Sequence, residues 1–418
     1  IPPLICKGYN ADFDGDQMGV FLPITKEAQE EAKNLMISKK NLLKPASGLP
    51  IVTLYQDIVL GCYYLTEIVE GAKGEGKIFS SFDEVLLALE LGKVDLRAKI
   101  KVYQGEKEFL ETSPGRIIFN SVLPKNFPFQ NKEIRIKELE NLVLELYLKY
   151  SLDEVCETLD KIKKLGFEYA TLSGTTFALD ELILPPKKKE VLNEVEKKEE
   201  EIEKEYEKGL LTKREKLLKK IEIFLPAIKE IENSLLSTLS KENSIFRMVY
   251  AGARGSFKQV AQILALKGLV TNPLGEIIEL LIKHSYYEGL SVLEYFISTH
   301  GARKGQTDKA LRTSSAGYLT RRLVDVVHEV IVREKNCKDQ KGIEIFRKDA
   351  EEIGQKFFFK VLGRIALEDV KTKTGKIIVK KGEIIDYYKA LEIENEGVEK
   401  IRIRSPLTCK TKYGVCQK

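Results

Sequence analysis

The period of hydrophobic and polar positions changes several times along the chain. Residues 1–24 mix short apolar runs with an acidic stretch and predict strands joined by a turn. Residues 25–40 have helical spacing, residues 45–50 (PASGLP) read as a loop, and residues 51–70 return to an apolar pattern that can start a helix. Scattered glycines and polar residues fill 71–135, with short strand-like pieces such as 116–123, and helical periodicity resumes over 136–165. Between Pro185 and about Ile221 the chain is dense in Lys and Glu, with Leu, Val and Ile at helical spacing and an interruption at Gly209. That pattern predicts two charged helices in an antiparallel hairpin projecting into solvent, although a plain solvated face would give the same charge run. Residues 224–330 read as mostly helical with glycine-rich junctions. KIIVKKGEII and KIRIRSPLTC, within 376–409, alternate as strands do and suggest a small β-rich module ending at cysteines. No fixed-period repeat interrupts this order.

Composition narrows the class. A chain of 418 residues predicts two to four folded units. The hydrophobic fraction of 43% can build cores, and 31% charged residues is near the ordinary level, which excludes a disordered polyelectrolyte. A net charge of +5 permits nucleic-acid binding without arguing for it, so any basic surface must be local. No run of about 18 apolar residues exists, so no transmembrane helix is expected. The first residues, IPPLICKGYN, lack Met and a charged leader and read as the middle of a longer protein. Six sparse cysteines are unlike a secreted disulfide scaffold and fit reduced thiols in a cytoplasm, some of them held for metal. Cys6, Cys62 and Cys156 have no partner pattern and read as small packing residues.

The densest chemistry lies at Asp12, Asp14 and Asp16, which alternate with Gly15 between the last two. Three carboxylates this close repel one another, and the loop holds no Lys or Arg to neutralise them. A hard divalent cation is the natural counter-charge, and magnesium keeps open positions for water or phosphate. A calcium loop of the EF-hand kind fails on spacing: counted from Asp12, its glycine and glutamate positions hold Gln17 and Pro23. A solvated acidic turn is the bland alternative for such a motif.

The full string NADFDGDQM resembles the signature of the largest subunits of multisubunit RNA polymerases. The surrounding PPLICKGYNADFDGDQMGVFLP is similar on both sides, departing at Pro2-Pro3 (usually His-Pro in bacteria) and at Gly19-Val20-Phe21 (usually Ala-Val-His). The resemblance implies a loop on a double-psi β-barrel, with Asp12, Asp14 and Asp16 holding a catalytic Mg2+ and Asn10 facing the ribose of the incoming nucleotide or the RNA end. Further stretches resemble the family in order: LKPASGLPIVTLYQDIVLGCYYLT at 43–66, IIFNSVLP at 117–124, GFEYATLSGTTFALDELILPP at 166–186, and RMVYAGARGSFKQVAQILALKGLV at 247–270, which is like the family's F-loop segment. Bottom-up, GARG within that segment is an ordinary tight turn, or a phosphate contact through Arg254.

EGLSVLEYFISTHGARKGQTDKALRTSSAGYLTRRLVD, at 288–325, closely resembles the bridge helix that crosses the polymerase cleft. Physically it is a long helical stretch with Leu290, Leu293, Phe296, Ile297, Leu319 and Leu323 as packing positions. Its interleaved Arg303, Lys304, Arg312, Thr313, Arg321 and Arg322 are the nucleic-acid-binding candidates. Gly305 and Gly317 each cost about 1 kcal/mol against Ala in a helix, which suits a bend or a close base pair. His300 reads as structural.

Cys409 and Cys416 have six residues between them. In the family a zinc site uses a distant Cys, here Cys337, then C-x6-C-x2-C, so the resemblance implies a Zn2+ site of Cys337, Cys409 and Cys416 whose fourth ligand would be residue 419. Unliganded thiols are the alternative. The implied organisation is a mixed α and β, multidomain chain: 1–66 part of the double-psi barrel with the metal loop and the following helix; 67–184 a mixed α/β pore region; 185–223 the charged hairpin at the rim of the secondary channel; 224–285 the F-loop-like helical region; 286–330 the bridge helix; 331–418 the β-rich module with an incomplete zinc site. The implied function is magnesium-dependent nucleotidyl transfer that extends an RNA transcript on a DNA template from nucleoside triphosphates. The implied partners are the beta subunit, the alpha dimer, omega and sigma factor, in the cytoplasm and with no membrane. An internal fragment alone is expected to be inactive. The rival readings are a non-catalytic binding module and a different magnesium-dependent phosphotransferase sharing a short acidic motif.

Overall fold

The computed structural model describes residues 1–44, 49–105, 108–372 and 375–418, so the loop expected at 45–50 lies mostly outside the described residues. The chain forms two compact units, one of residues 1–40 and 52–306 and the other of residues 41–51 and 307–418. Both mix helices with small sheets.

In the first unit, helix α1 (Pro3–Tyr9) starts on a proline, whose fixed φ suits a first helical turn, and buries Leu4 and Cys6. Helix α2 (Lys26–Glu31) follows, capped by the Thr25 side chain. The strands expected in 1–24 are therefore corrected: Pro3–Tyr9 is helical, and among the described residues no strand precedes Ile78. The apolar run that suggested pairing is unpartnered within this chain, with Val20, Phe21, Leu22 and Ile24 all exposed. Alternation marks a strand only where a neighbour supplies hydrogen bonds and a covered face.

Helix α3 (Asp57–Thr66) is the centre of the unit, with Ile58, Cys62, Tyr63 and Leu65 almost wholly buried. A parallel pair, β1 (Ile78–Phe79) with β2 (Ile100–Gly105), is extended by antiparallel β3 (Glu108–Thr112). Helices α4 (Phe82–Glu90) and α5 (Pro114–Ser121) cover it, and Phe79, Val85, Ala98, Ile100, Val102 and Ile117 form their core. The strand-like 116–123 is thus helical. Ser113 caps Arg116 N–H and Pro114 occupies the first turn, and these local signals outweigh the β-branched run.

Helices α6 (Ile136–Lys149) and α7 (Leu152–Ser173) complete this core. Ser151 and Glu154 close a reciprocal capping box at the start of α7, and Gly174 at φ 55° ends it. Helix α7 lies against α3 through glycines: a Cβ on Gly61 would stand 1.8 Å from the Gly166 carbonyl oxygen, and one on Gly166 would stand 2.7 Å from that of Ile58.

The Lys/Glu-rich stretch forms α8 (Lys188–Glu207) and α9 (Lys213–Thr238), joined through Gly209 at φ 73°. Lysines of α9 bridge the pair: Lys220 Nζ reaches Glu199 at 3.1 Å and Glu203 at 2.7 Å, and Lys216 reaches Glu203 at 2.6 Å. Both lysines also meet Glu279, and Val191, Val195, Phe224 and Ile231 join one core with Val260 and Leu264, so the helices are anchored as well as solvated. Helices α10 (Ser244–Tyr250) and α11 (Phe257–Leu264) share that core.

Helix α12 (Val292–Val327) runs for 36 residues. Of its expected packing positions, Leu293, Phe296, Leu319 and Leu323 are exposed, a correction, since apolar spacing alone does not say which chain covers a face. The helix starts on a buried anchor. Glu294 Oε1 accepts from Lys283 N–H at 3.1 Å, and its Oε2 accepts from Ser291 N–H at 3.0 Å and lies 2.8 Å from His284 Nδ1. Burial alone would raise this carboxyl, but the Ser291 and His284 hydrogen bonds hold it down at about 2. Glu294→Gln is expected to destabilise the start of α12 by about 1–3 kcal/mol, because several donors lose a charged acceptor. A depressed carboxylate stabilises fully above its ordinary value of 4.5, and the contribution fades as pH falls from there toward 2. Hydrogen exchange at 283–296, slower in the parent than in Glu294→Gln at neutral pH and converging in acid, is the check.

The second unit carries β4 (Val332–Glu334), β5 (Ile343–Phe346), α13 (Arg347–Glu352), α14 (Phe357–Val361), β6 (Val370–Lys371), β7 (Ile377–Val379), α15 (Tyr387–Asn395), β8 (Lys400–Ile403) and β9 (Val415–Cys416). Among the described residues its strands pair in twos, β4 with β9, β5 with β8 and β6 with β7, around a core of Phe357, Val361, Val379, Ile393, Ile401 and Ile403. The expected β-rich module is thus mixed, because α13–α15 supply half of that core.

Candidate functional site

Helix α1 ends at Asn10, which adopts the left-handed conformation (φ 50°, ψ 38°) that asparagine tolerates better than most residues. The chain then folds back on itself: Ala11 N–H donates to Cys6 O at 2.9 Å. Beyond it the backbone is held by the acidic side chains, with Asp12 N–H donating to Asp16 Oδ2 at 3.0 Å and Asp14 N–H to Asp12 Oδ1 at 3.3 Å. Gly15 turns the loop at φ 127°, where a side chain would be strained. These constraints converge one carboxylate oxygen each from Asp12, Asp14 and Asp16 to within 4.8 Å of one another, all exposed. The hydrogen bond and charge of Asp12, helped by Asp16, push the Asp14 carboxyl above its ordinary value. A converging set of hard carboxylate oxygens with no Lys or Arg inside the loop fits a divalent metal that leaves positions open.

The loop borders an open cavity of about 780 Å³ that is also lined by Asn10, Thr53, Tyr55 and Gln56. Tyr55 ties this wall to α1 by donating to Pro3 O at 3.3 Å. Gln56, at φ 50° and ψ −121°, is a strained turn into α3. Asn10, Asp12 and Asp14 line this cavity with Asp16 beside them, and Thr53, Tyr55 and Gln56 were not singled out in the sequence. They lie in the 43–66 stretch that resembles the family, just before an apolar helix, and nothing more pointed to them.

The cysteine cluster is built by three turns. Asn336 Oδ1 accepts from Lys338 N–H at 2.9 Å, with Lys338 at φ 54°, which presents Cys337. A 3-10 turn (Pro406–Thr408) leads to Cys409, and Tyr413 at φ 53° turns the chain into β9 with Cys416. Cys337 Sγ lies 3.7 Å from Cys409 Sγ and 3.6 Å from Cys416 Sγ. Sulfurs around one tetrahedral zinc at about 2.3 Å stand about 3.8 Å apart, so the three thiols fit such an ion. Hydrogen bonds from Thr411 and from Cys416 N–H hold the Cys409 thiol down at about 6. All six cysteines are free; Cys6 and Cys62 are buried and Cys156 half-buried.

The basic candidates on α12 do not converge on one point. Arg303, Arg312, Thr313, Arg321 and Arg322 are exposed along the helix, and Lys304 is half-buried, donating to Pro273 O at 2.7 Å. Thr313 Oγ1 donates back to Lys309 O, and Arg322 lies over the Tyr318 ring. His300 packs edge-on against Phe296.

Four family profiles tile the chain: RNA polymerase Rpb1 domain 2 at residues 1–38, domain 3 at 41–182, domain 4 at 187–295 and domain 5 at 289–390. The chain is 46% identical over its whole length to the DNA-directed RNA polymerase subunit beta' of Pelotomaculum thermopropionicum. The chain belongs to the RNA polymerase beta' family. The corresponding subunit of Moorella thermoacetica is 45% identical over 100% of the chain, and that of Aquifex aeolicus 45% over 99%. The chain spans 36% of the first two of these curated relatives and 27% of the third. Within this beta' family stretch, the acidic loop lies in the domain 2 match and α12 in the domain 5 match. Among the described residues no helix is long and apolar enough to cross a membrane.

Proposed function

We propose that this chain carries the metal loop of a DNA-directed RNA polymerase and serves nucleotidyl transfer in the assembled enzyme. The observation that carries the reading is the convergence of Asp12, Asp14 and Asp16 at an open cavity, in a chain whose relatives are named as beta' subunits. Magnesium bound there would supply Lewis acidity, lowering the pKa of the RNA 3′-hydroxyl and offsetting charge at the transferred phosphate. The chain's own part is positional. Asp12, Asp14 and Asp16 would hold the cation, Asn10 at the cavity wall would face the sugar, and the 3′ oxygen, its proton lost to water, would attack the α-phosphate as the bond to pyrophosphate breaks. No protein nucleophile is required.

The loop belongs to a partial double-psi barrel whose strands come from other segments of the polymerase, consistent with the exposed 20–24 run. Helix α12 is the bridge helix, with Arg303, Lys304, Arg312, Thr313, Arg321 and Arg322 toward nucleic acid; α8 and α9 are the secondary-channel rim; Cys337, Cys409 and Cys416 hold structural Zn2+. DNA, RNA, the beta subunit, the alpha dimer, omega and sigma factor are the partners.

The test is reconstitution. A beta' subunit bearing this sequence at the matching positions, assembled with the other subunits, is expected to extend RNA on an RNA–DNA scaffold only with a divalent cation. The 418-residue chain alone is expected to add no nucleotide. Extension by the isolated chain, or none by the assembled enzyme, overturns the proposal.

A further inference from the structure

Arg404 brings a positive charge against the cysteine cluster. It leaves the end of β8, its own N–H fixed to Ile365 O at 2.9 Å, and stands half-buried. Its Nη2 lies 3.3 Å from both Cys337 Sγ and Cys416 Sγ, and its Nη1 donates to Asn336 Oδ1 at 2.9 Å. That oxygen is the one that holds the Lys338 turn and so presents Cys337. One guanidinium therefore ties together the turn before the first thiol, that thiol, and a thiol 79 residues later. A point charge could not satisfy all three directions, whereas the planar fork of arginine can.

We infer that Arg404 is a positioning residue of the metal centre: it draws Cys337 and Cys416 to tetrahedral spacing and offsets the negative charge that thiolates place on a bound divalent ion. The inference rests on the cysteine cluster being a metal site. Groups that hydrogen-bond to ligands from outside the coordination shell commonly set affinity by about 10–100-fold. Arg404 should do so here through both its charge and its two-sulfur contact. Neighbouring Arg402 makes a useful contrast. It donates to Lys341 O and pairs with Glu368, touching neither sulfur.

The experiment measures Zn2+ affinity of the full chain by competition with a chromophoric chelator, alongside the sulfur-to-metal charge-transfer band after Co2+ loading. Arg404→Met is expected to weaken Zn2+ about 10–100-fold and to shift the Co2+ band, since the sulfurs lose two N–H donors. Arg404→Lys keeps charge and should recover part of the affinity but not the parent band position. Arg402→Met should match the parent in both. If Arg404→Met misfolds the unit, seen as a lost far-ultraviolet spectrum, Arg404→Lys decides: a parent-like affinity and band position overturn the inference. Parent affinity and band in a folded Arg404→Met overturn it as well. If the parent itself shows no thiolate band with Co2+, the cluster is not a metal site and that reading fails first.

Discussion

In the assembled polymerase, Asp14→Asn is expected to abolish nucleotide addition while leaving scaffold binding almost unchanged. The substitution keeps the shape and volume of the side chain. It removes one negative charge from a cation that is held mainly by charge, and it weakens the field where the attacking oxygen and transferred phosphate gather charge. Losing one such preorganised contact typically costs a factor of about 10²–10³, at about tenfold per 1.4 kcal/mol. Folding should not suffer, because Asp12 already opposes ionisation of Asp14 and the loop is exposed. Asp12→Asn and Asp16→Asn should be as inactive, and their backbone hydrogen bonds give them an added structural part. Single-nucleotide addition and scaffold affinity, measured in parallel, check this; a variant that extends RNA at close to the parent rate removes the loop from catalysis.

Gly61→Ala is expected to be among the most destabilising single methyl additions in the first unit, at about 3 kcal/mol or more. Its Cβ would lie 1.8 Å from a backbone oxygen of α7, and a backbone cannot step aside as a flexible side chain can. Overpacking ordinarily costs about 1–3 kcal/mol, and this contact is at the severe end. Helices α3 and α7 would have to separate, moving the Thr53–Ile58 wall of the cavity with them. Gly305→Ala is the contrast. Nothing lies within 4 Å of its added methyl, and within α12 it should gain up to about 1 kcal/mol of helix stability. Denaturant midpoints followed by far-ultraviolet signal distinguish the two, and an unchanged midpoint in Gly61→Ala contradicts the packing.

The helices were legible because their signals are local. Helical spacing over 136–165 and on both sides of Gly209 is visible in the sequence, but the break between α6 and α7, made by the Ser151–Glu154 capping box, and the run of α9 to Thr238 come only from the structure. The strands were legible only in part: the alternating stretches at 376–385 and 400–409 hold β7 and β8, but two others misled. Residues 20–24 have strand-like composition and no partner, while 116–123 have the same look and are taken by Ser113 and Pro114 into a helix. Pairing is a property of two segments, and one sequence window holds only one of them. The acidic loop could be read outright because Asp12, Asp14 and Asp16 are neighbours in sequence. Arg404 and Glu294 could not, since what they touch lies on other segments: Arg404 meets Cys337 across 67 residues, and Glu294 meets His284 across 10. The exposed face of α12 shows the same limit in reverse. Its apolar spacing was visible, but nothing in the spacing says whether this chain or another molecule covers it.

The most direct measurement of the central claim replaces magnesium in the assembled enzyme with Fe2+ and lets peroxide generate short-lived radicals at the bound ion. If Asp12, Asp14 and Asp16 hold the cation, backbone cuts should fall at residues 10–18 and at the facing 53–58 wall, fade as Mg2+ is added back, and disappear in Asp14→Asn. Cuts centred elsewhere, or cuts at the loop that persist at full strength in Asp14→Asn, would contradict it.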